Sequence, residues 1–353
     1  MRAVVIRGVG LIGVEELPSP EPREGEVVAA VKAVGICGTD LEIYKGKHPA
    51  ARELLERGKL KYLIPGHEWS GIITSIGEGV EDLDIGNKIT SETTLYCGKC
   101  YFCSIGKPNL CDNAEEIGIT RNGAMADYVA IPAKLVHEIP PGISFEEAAM
   151  IEPTAIAIHA VERTSEIADI SGKKIAIFGD GTIGLLILQL IFKKDPGEVF
   201  LFGKSDYKLS VAEQLGPVNC VNTSAEGGEN IIAKIKKALA PRGADIVIEA
   251  APSCPVVSEA LSAVKKGGVV MLVGLHGTCT IDVNNVLFKE LVISSSLSSP
   301  GVWDKAIELV RRREIRVKEL ISKILTLEEA VDFIRNGGRP DVIKAIVKPC
   351  QGA

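Results

Sequence analysis

The chain has 353 residues, 46% of them apolar and 24% charged, with a net charge of −6. These are globular values that exclude collagenous and disordered classes, and the negative balance excludes a surface built to neutralise nucleic-acid phosphates or anionic lipid. A chain of this length exceeds one ordinary core, so two domains are expected.

The first segment, MRAVVIRGVG, opens on strand-like residues rather than an export signal. Together with nine cysteines, this points to a cytoplasmic protein whose thiols serve metals rather than bridges. Residues 1–150 are rich in short β-branched runs, VVAAVKAVGIC, GIITSI and DYVAIP, punctuated by Gly, Pro and Asp. That texture predicts an antiparallel, barrel-like domain. Helical charge patterning from Pro49 to Lys61 interrupts it. The run CGKCYFCSIGKPNLC then places Cys97, Cys100, Cys103 and Cys111 at C-x2-C-x2-C-x7-C spacing. Four thiolates that one tight loop can fold inward suit a tetrahedral structural zinc. An iron–sulfur cluster takes four cysteines at similar gaps, and two disulfides would suit an exported protein. Cys220, Cys254, Cys279 and Cys350 lie apart in apolar or loop settings and are expected to be inert.

Near residue 152 the texture changes. KKIAIFGDGTIGLLILQLIF, EVFLFGKS, ADIVIEAA and GGVVMLVG alternate apolar strands with helical stretches, the pattern of a parallel α/β sheet. The greasy stretch 183–192 is too short to span a bilayer and contains Gln189, so it reads as a buried helix. A strand running into Gly179-Asp180-Gly181-Thr182-Ile183-Gly184 and then into a helix predicts a dinucleotide site, with the pyrophosphate at the helix N-terminus beside Gly179, Gly181, Thr182 and Ile183. Asp180 is an oddity beside a pyrophosphate unless it points to solvent. NAD sites place an acid at the end of the second strand to bond the ribose 2′-hydroxyl. Here that strand ends in Gly203-Lys204-Ser205, with Lys208 a turn further on. A small residue flanked by cations predicts NADP rather than NAD. A helix (WDKAIELVRRR) and a closing strand (KAIVKP) complete the chain.

Three further fragments stand in order around the cysteine lobe: Gly35-Ile36-Cys37-Gly38-Thr39-Asp40, Gly66-His67-Glu68 and Glu152-Pro153. With that lobe and the G-x-G-x-x-G loop, the chain resembles the zinc-dependent medium-chain dehydrogenase family of alcohol, polyol, butanediol and threonine dehydrogenases. The resemblance implies an α/β protein with a GroES-like β-rich catalytic domain (residues 1–150, completed by 295–353) and a doubly wound Rossmann cofactor domain (151–294). The active site is expected in the cleft between them.

The same resemblance implies a catalytic zinc on Cys37 and His67, with Glu68 as a further or exchanging ligand and Glu152 at a position filled by cysteine in simple alcohol dehydrogenases. It implies a structural zinc on Cys97, Cys100, Cys103 and Cys111. One thiolate and one carboxylate would cancel the zinc charge and leave a position open for an alcohol oxygen, whose alkoxide releases hydride to nicotinamide. Thr39 sits where relatives keep a hydroxyl for the substrate proton, Asp40 would orient a ligand, and Tyr44 is either pocket lining or core.

Two departures stand out. Relatives commonly carry histidine where this chain has Glu42, so a proton relay would run through Glu42, Thr39 and water or not at all. The Arg-Tyr pair that holds sorbitol in its dehydrogenases is missing from Ser296–Pro300, so sorbitol itself is not expected. The implied function is NAD(P)-linked oxidation of a secondary alcohol on a small polyol or sugar-like substrate. Free and phosphorylated forms both stay open, with Arg121 as a candidate cation. L-threonine 3-dehydrogenation is the alternative within the class, and a non-catalytic dinucleotide-binding protein the alternative outside it. A homodimer or homotetramer is expected, with MLVGLHGTCTIDV as the edge strand; nucleic-acid and membrane partners are not.

Overall fold

In the computed structural model, residues 1–224, 230–275 and 277–349 are described. Two compact units emerge: residues 1–155 with 298–353, and residues 156–297.

The first unit starts with β1 (Arg2–Gly8), β2 (Leu11–Glu16) and β3 (Glu26–Gly35), then α1 (Gly38–Tyr44), α2 (Pro49–Glu56) and β4 (Glu68–Ile76). Short strands β5 (Lys88–Ser91) and β6 (Thr94–Leu95) lead into the cysteine lobe with its single-turn α3 (Tyr101–Ser104). After the lobe come β7 (Glu115–Glu116), β8 (Tyr128–Pro132), β9 (Val136–Glu138), α4 (Phe145–Ala148) and the first turn of α5 (Ile151–Ile167).

The second unit continues with β10 (Ile175–Phe178), α6 (Thr182–Phe192), β11 (Val199–Gly203), α7 (Asp206–Leu215), β12 (Asn219–Asn222) and α8 (Ile231–Ala238). It ends with β13 (Ala244–Glu249), α9 (Cys254–Ala263), β14 (Val264–Leu272), α10 (Val283–Lys289) and β15 (Val292–Ser295). The chain then returns to the first unit with α11 (Trp303–Arg311), β16 (Ile321–Leu325), α12 (Leu327–Arg335) and β17 (Lys344–Val347).

The first unit is organised by a seven-stranded sheet of order β16-β17-β3-β4-β5-β9, with β8 on β3. Strand β3 earns its central place because nearly every residue of EVVAAVKAVG is buried, which needs cover on both faces. Its register shifts twice against β4, and such bulges bend a sheet toward closure. Val27, Val31, Trp69, Ile73, Ile89 and Ile131 fill the core.

The second unit holds a six-stranded sheet of order β12-β11-β10-β13-β14-β15, parallel at every pair. Counted from β10, this is the 3-2-1-4-5-6 order of a doubly wound fold, with its switch point between β10 and β13. Helix α6 is apolar because Gly184 to Ile191 are all buried, as the sequence predicts. Among the described residues, no helix is long and apolar enough to cross a membrane.

Two expectations are corrected here. The segment containing Met271-Leu272 is not an edge: β14 lies between β13 and β15, and β15 takes the edge. Cys254 and Cys279 are not isolated but form a disulfide with their Cα atoms 5.3 Å apart. They are 25 residues apart in sequence, yet each follows the carboxyl end of one of two adjacent parallel strands, β13 and β14, so the sheet brings them together. Cys220 is a free thiol, pushed up to about 11 by burial and the nearby charge of Glu213. Cys350 lies outside the described residues.

Candidate functional site

The metal-ligand candidates of the first unit converge on the end of β3 and the start of β4, which pair at Gly35 and Glu68. Cys37 is the N-cap of α1, His67 immediately precedes β4, and Glu68 begins it. Their donor atoms lie within 4.8 Å of one another. Glycine at residue 35 leaves room for the Glu68 carboxylate: a Cβ there would stand 2.1 Å from Glu68 Oε2.

Asp40 binds both halves of this constellation. Fully buried, it accepts the Cys37 amide at 2.8 Å and the Gly66 amide at 3.1 Å. Its Oδ1 lies 4.0 Å from His67 Nδ1. It thus acts on the ligands by fixing the backbone on either side of them. Burial raises its carboxyl pKa, and the neighbouring His67 offsets part of that rise.

His67 carries the strongest sign of an incoming ligand. Its Nδ1 is buried without a hydrogen-bond partner among the described residues, a costly state for a core histidine. Burial works against its charged form, but Cys37, Asp40 and Glu152 outweigh burial and hold its pKa well above the ordinary value. A thiol, an imidazole and a carboxylate within 4.8 Å match the donor set of zinc, whose bonds of about 2.0–2.3 Å place donors roughly 3–4 Å apart. The residues present fit the metal.

Glu68 has a partner that sequence reasoning missed. Lys344 of β17, itself 3% exposed, donates to Glu68 Oε2 at 2.5 Å and to the Ile36 carbonyl at 3.0 Å. Desolvation disfavours the ammonium, yet Glu68 and Cys37 raise its pKa. The signal was a single lysine inside the apolar strand VIKAIV, where a cation needs a counterion.

Glu152, in the first turn of α5, lies outside the 4.8 Å set but next to it. Burial pushes its carboxyl up to about 7, with His67 pulling down and Glu68 pushing up. Thr93 donates to it at 3.4 Å. Thr39 accepts from the Cys37 thiol at 3.6 Å, which puts its hydroxyl beside the ligand cluster.

Other candidates are engaged elsewhere. Glu42 pairs with Lys45 and Lys47 at 3.7 and 4.0 Å. Arg121 pairs with Glu26 and Glu115 at 3.0 and 3.3 Å. Tyr44 packs against the core cluster of the first unit.

The four lobe thiols Cys97, Cys100, Cys103 and Cys111 also converge within 4.8 Å. The Lys99 and Cys100 amides draw the Cys97 thiol down to about 6. Desolvation and the Cys100 thiol push Cys103 up to about 12. Four thiols this close resist becoming four thiolates unless a cation shares their charge.

In the second unit, Gly179 directly follows β10 with φ +124°, and Gly181 caps α6. A Cβ on Gly184 would stand 1.8 Å from the Gly179 carbonyl oxygen, so the third glycine allows α6 to pack on the loop. A Cβ on Gly181 would meet nothing within 4 Å. Thr182 and Ile183 form the first turn of α6 below that open space, and the cradle fits a pyrophosphate. Gly203 ends β11, Lys204 is exposed, and Ser205 caps α7 by accepting the Lys208 amide at 3.4 Å. Asp180 does not simply point to solvent: it accepts the amides of Lys204 and Ser205.

Known proteins match along the whole chain. Residues 23–141 match the alcohol dehydrogenase GroES-like domain, and residues 182–312 the zinc-binding dehydrogenase domain. A sorbitol dehydrogenase of Halalkalibacterium halodurans is 31% identical, with 97% of each chain covered. A D-arabitol-phosphate dehydrogenase of Enterococcus avium is 32% identical, covering 93% of this chain and 92% of its own. A structure described as a zinc-binding dehydrogenase of Sinorhizobium meliloti bound to NADP superposes with TM-score 0.87 at 33% identity, covering 99% of both chains. The chain therefore belongs to the zinc-dependent medium-chain dehydrogenase family. Its architecture is a GroES-like domain with a Rossmann-type domain.

Proposed function

We propose that this protein oxidises a secondary alcohol on a small polyol or sugar-like substrate, transferring hydride to a nicotinamide dinucleotide. The observation that carries the reading is the buried Cys37–His67–Glu68 set with its unpartnered imidazole nitrogen. These residues would hold the catalytic zinc, and the four lobe cysteines a structural one. When bound, zinc supplies Lewis-acid polarisation of an alcohol oxygen and the dinucleotide supplies the hydride acceptor.

The protein's own residues do the remaining work. Thr39, whose hydroxyl lies beside the Cys37 thiol, accepts the substrate hydroxyl's hydrogen bond at Oγ1 and passes its own proton to water as the substrate proton arrives, so the relay is neutral at each end. Lys344 neutralises Glu68, so the ligand set carries less net negative charge than its residue types suggest. The polyol class is supported by the sorbitol and arabitol-phosphate relatives. Because Arg121 is already paired with two carboxylates, it lends no support to a phosphorylated substrate.

The sequence expectation of NADP rests on Gly203, Lys204 and Lys208, and the NADP-bound relative supports it. The Asp180 carboxylate beside Gly203 argues the other way, so the present proposal is a nicotinamide dinucleotide of either kind. The exposed edge strand β15 supports a homodimer or homotetramer.

The test is nicotinamide reduction by zinc-replete protein across free polyols, phosphorylated polyols, aldoses and L-threonine, each with NAD and NADP. Turnover on a polyol is expected. Turnover confined to L-threonine would replace the substrate class, and silence with all four would overturn the reading.

A further inference from the structure

Coenzyme choice in a doubly wound fold is made at the tip of the second strand, where a carboxylate accepts the ribose 2′-hydroxyl. Here that tip is Gly203, which has no side chain to offer. The space beside it is nonetheless filled. A Cβ built on Gly203 would stand 2.5 Å from Asp180 Cβ and 2.6 Å from Asp180 Oδ2. The side chain between the first two glycines of the loop therefore folds over the strand tip and puts its carboxylate close to where the usual acid would start.

This carboxylate is held in place. Asp180 Oδ2 accepts the amides of Lys204 and Ser205, each at 2.8 Å. Paired amides at such a turn are the kind of donors that bind an anionic oxygen, and here Asp180 already occupies them. Both bonds fall on Oδ2, so Oδ1 keeps its lone pairs for an incoming hydroxyl. The tip is itself pinned, since the Gly203 carbonyl accepts from the Thr223 amide at 2.6 Å and the Thr223 hydroxyl at 3.0 Å. The neighbouring cation is also shared, because Lys204 acts on the Glu259 carboxyl of α9 against the effect of burial.

We propose that Asp180 is the coenzyme-specificity residue of this protein: its carboxylate, supplied by the glycine loop instead of the strand tip, accepts the ribose 2′-hydroxyl and repels a 2′-phosphate. NAD is then favoured over NADP, the reverse of the sequence expectation. The inference rests on the dinucleotide reading of the second unit. It also explains why residue 203 is glycine: the two positions have room for only one side chain.

The test is calorimetric measurement of Kd for NAD and NADP, without substrate, on the full-length wild type and on D180N, D180S and D180G/G203D, the glycine at 180 freeing the space that a side chain at 203 needs. Wild type should bind NAD at least tenfold tighter than NADP. D180S should raise the NADP-to-NAD affinity ratio tenfold or more. D180N keeps an acceptor oxygen for the Lys204 and Ser205 amides, so it should raise the ratio with the turn intact. The double variant moves the acid to the strand tip and should restore the preference for NAD. Tighter binding of NADP by wild type, or a ratio moved less than twofold by both single variants, would overturn the inference. If wild type bound neither coenzyme, the dinucleotide reading itself would fail, which is a separate outcome.

Discussion

Lys344 and Glu68 form an ion pair with both side chains at most 4% exposed. Two charges removed from water this completely are tolerated only while each has the other, because an uncompensated buried charge has lost its hydration and gained nothing. Replacing Lys344 with Met should therefore destabilise the protein by about 3–5 kcal/mol, measured by urea denaturation. In K344M/E68Q, where neither charge remains, much of that loss should return. A K344M loss under about 1 kcal/mol would mean that Glu68 is held by something other than this lysine.

At the level of elements, the cysteine lobe is nearly free of regular structure, holding only one short turn of helix, Tyr101–Ser104, and a 3-10 turn at Pro108–Leu110. Its side chains leave Tyr101, Ile105 and Leu110 exposed, so little apolar burial holds it together. The proposed structural zinc would then do what a core does elsewhere. If the lobe holds one of the two proposed zincs, replacing Cys100 with Ser should remove that ion alone and lower Tm, with NAD affinity unchanged. Retention of both zincs, or lost NAD affinity at an unchanged Tm, would contradict this division of labour.

What the sequence made legible follows from range. The lobe, the glycine loop and α6 are local, and spacing or periodicity announces them. Lys344, Asp180 and the Cys254–Cys279 disulfide were not legible as partners. Lys344 meets Glu68 across 276 residues, Asp180 meets Ser205 across 25, and the cysteines meet across adjacent parallel strands. Lys344 stood out only as a cation in an apolar strand and Asp180 only as an oddity of the glycine loop; neither showed its partner until the sheets brought it there.

For the whole molecule, the sheet of the second unit has two open edges, β12 and β15, and the β15 edge is the apolar one. Val292 and Ile293 of β15 are 46% and 38% exposed, and Val283, Leu287 and Phe288 of α10 are 67%, 65% and 73% exposed. An unpaired strand beside so much apolar surface is a liability in a lone chain and an asset in a symmetric pair. Replacing Leu287 and Phe288 together with Glu should reduce the mass measured by light scattering to that of a single chain. An unchanged mass would place any self-association elsewhere.

The first unit is discontinuous, and this governs the order in which it can be finished during synthesis. Cys37, His67 and Glu68 emerge early, but the cation that makes Glu68 tolerable in a dry interior is translated only after the whole second unit. Until then the nascent first unit holds an acid it cannot bury at low cost, so its stable form must wait for the last described strand. A ribosome stalled short of residue 344 would therefore display an incompletely folded amino-terminal half, open to a protease around β3 and β4.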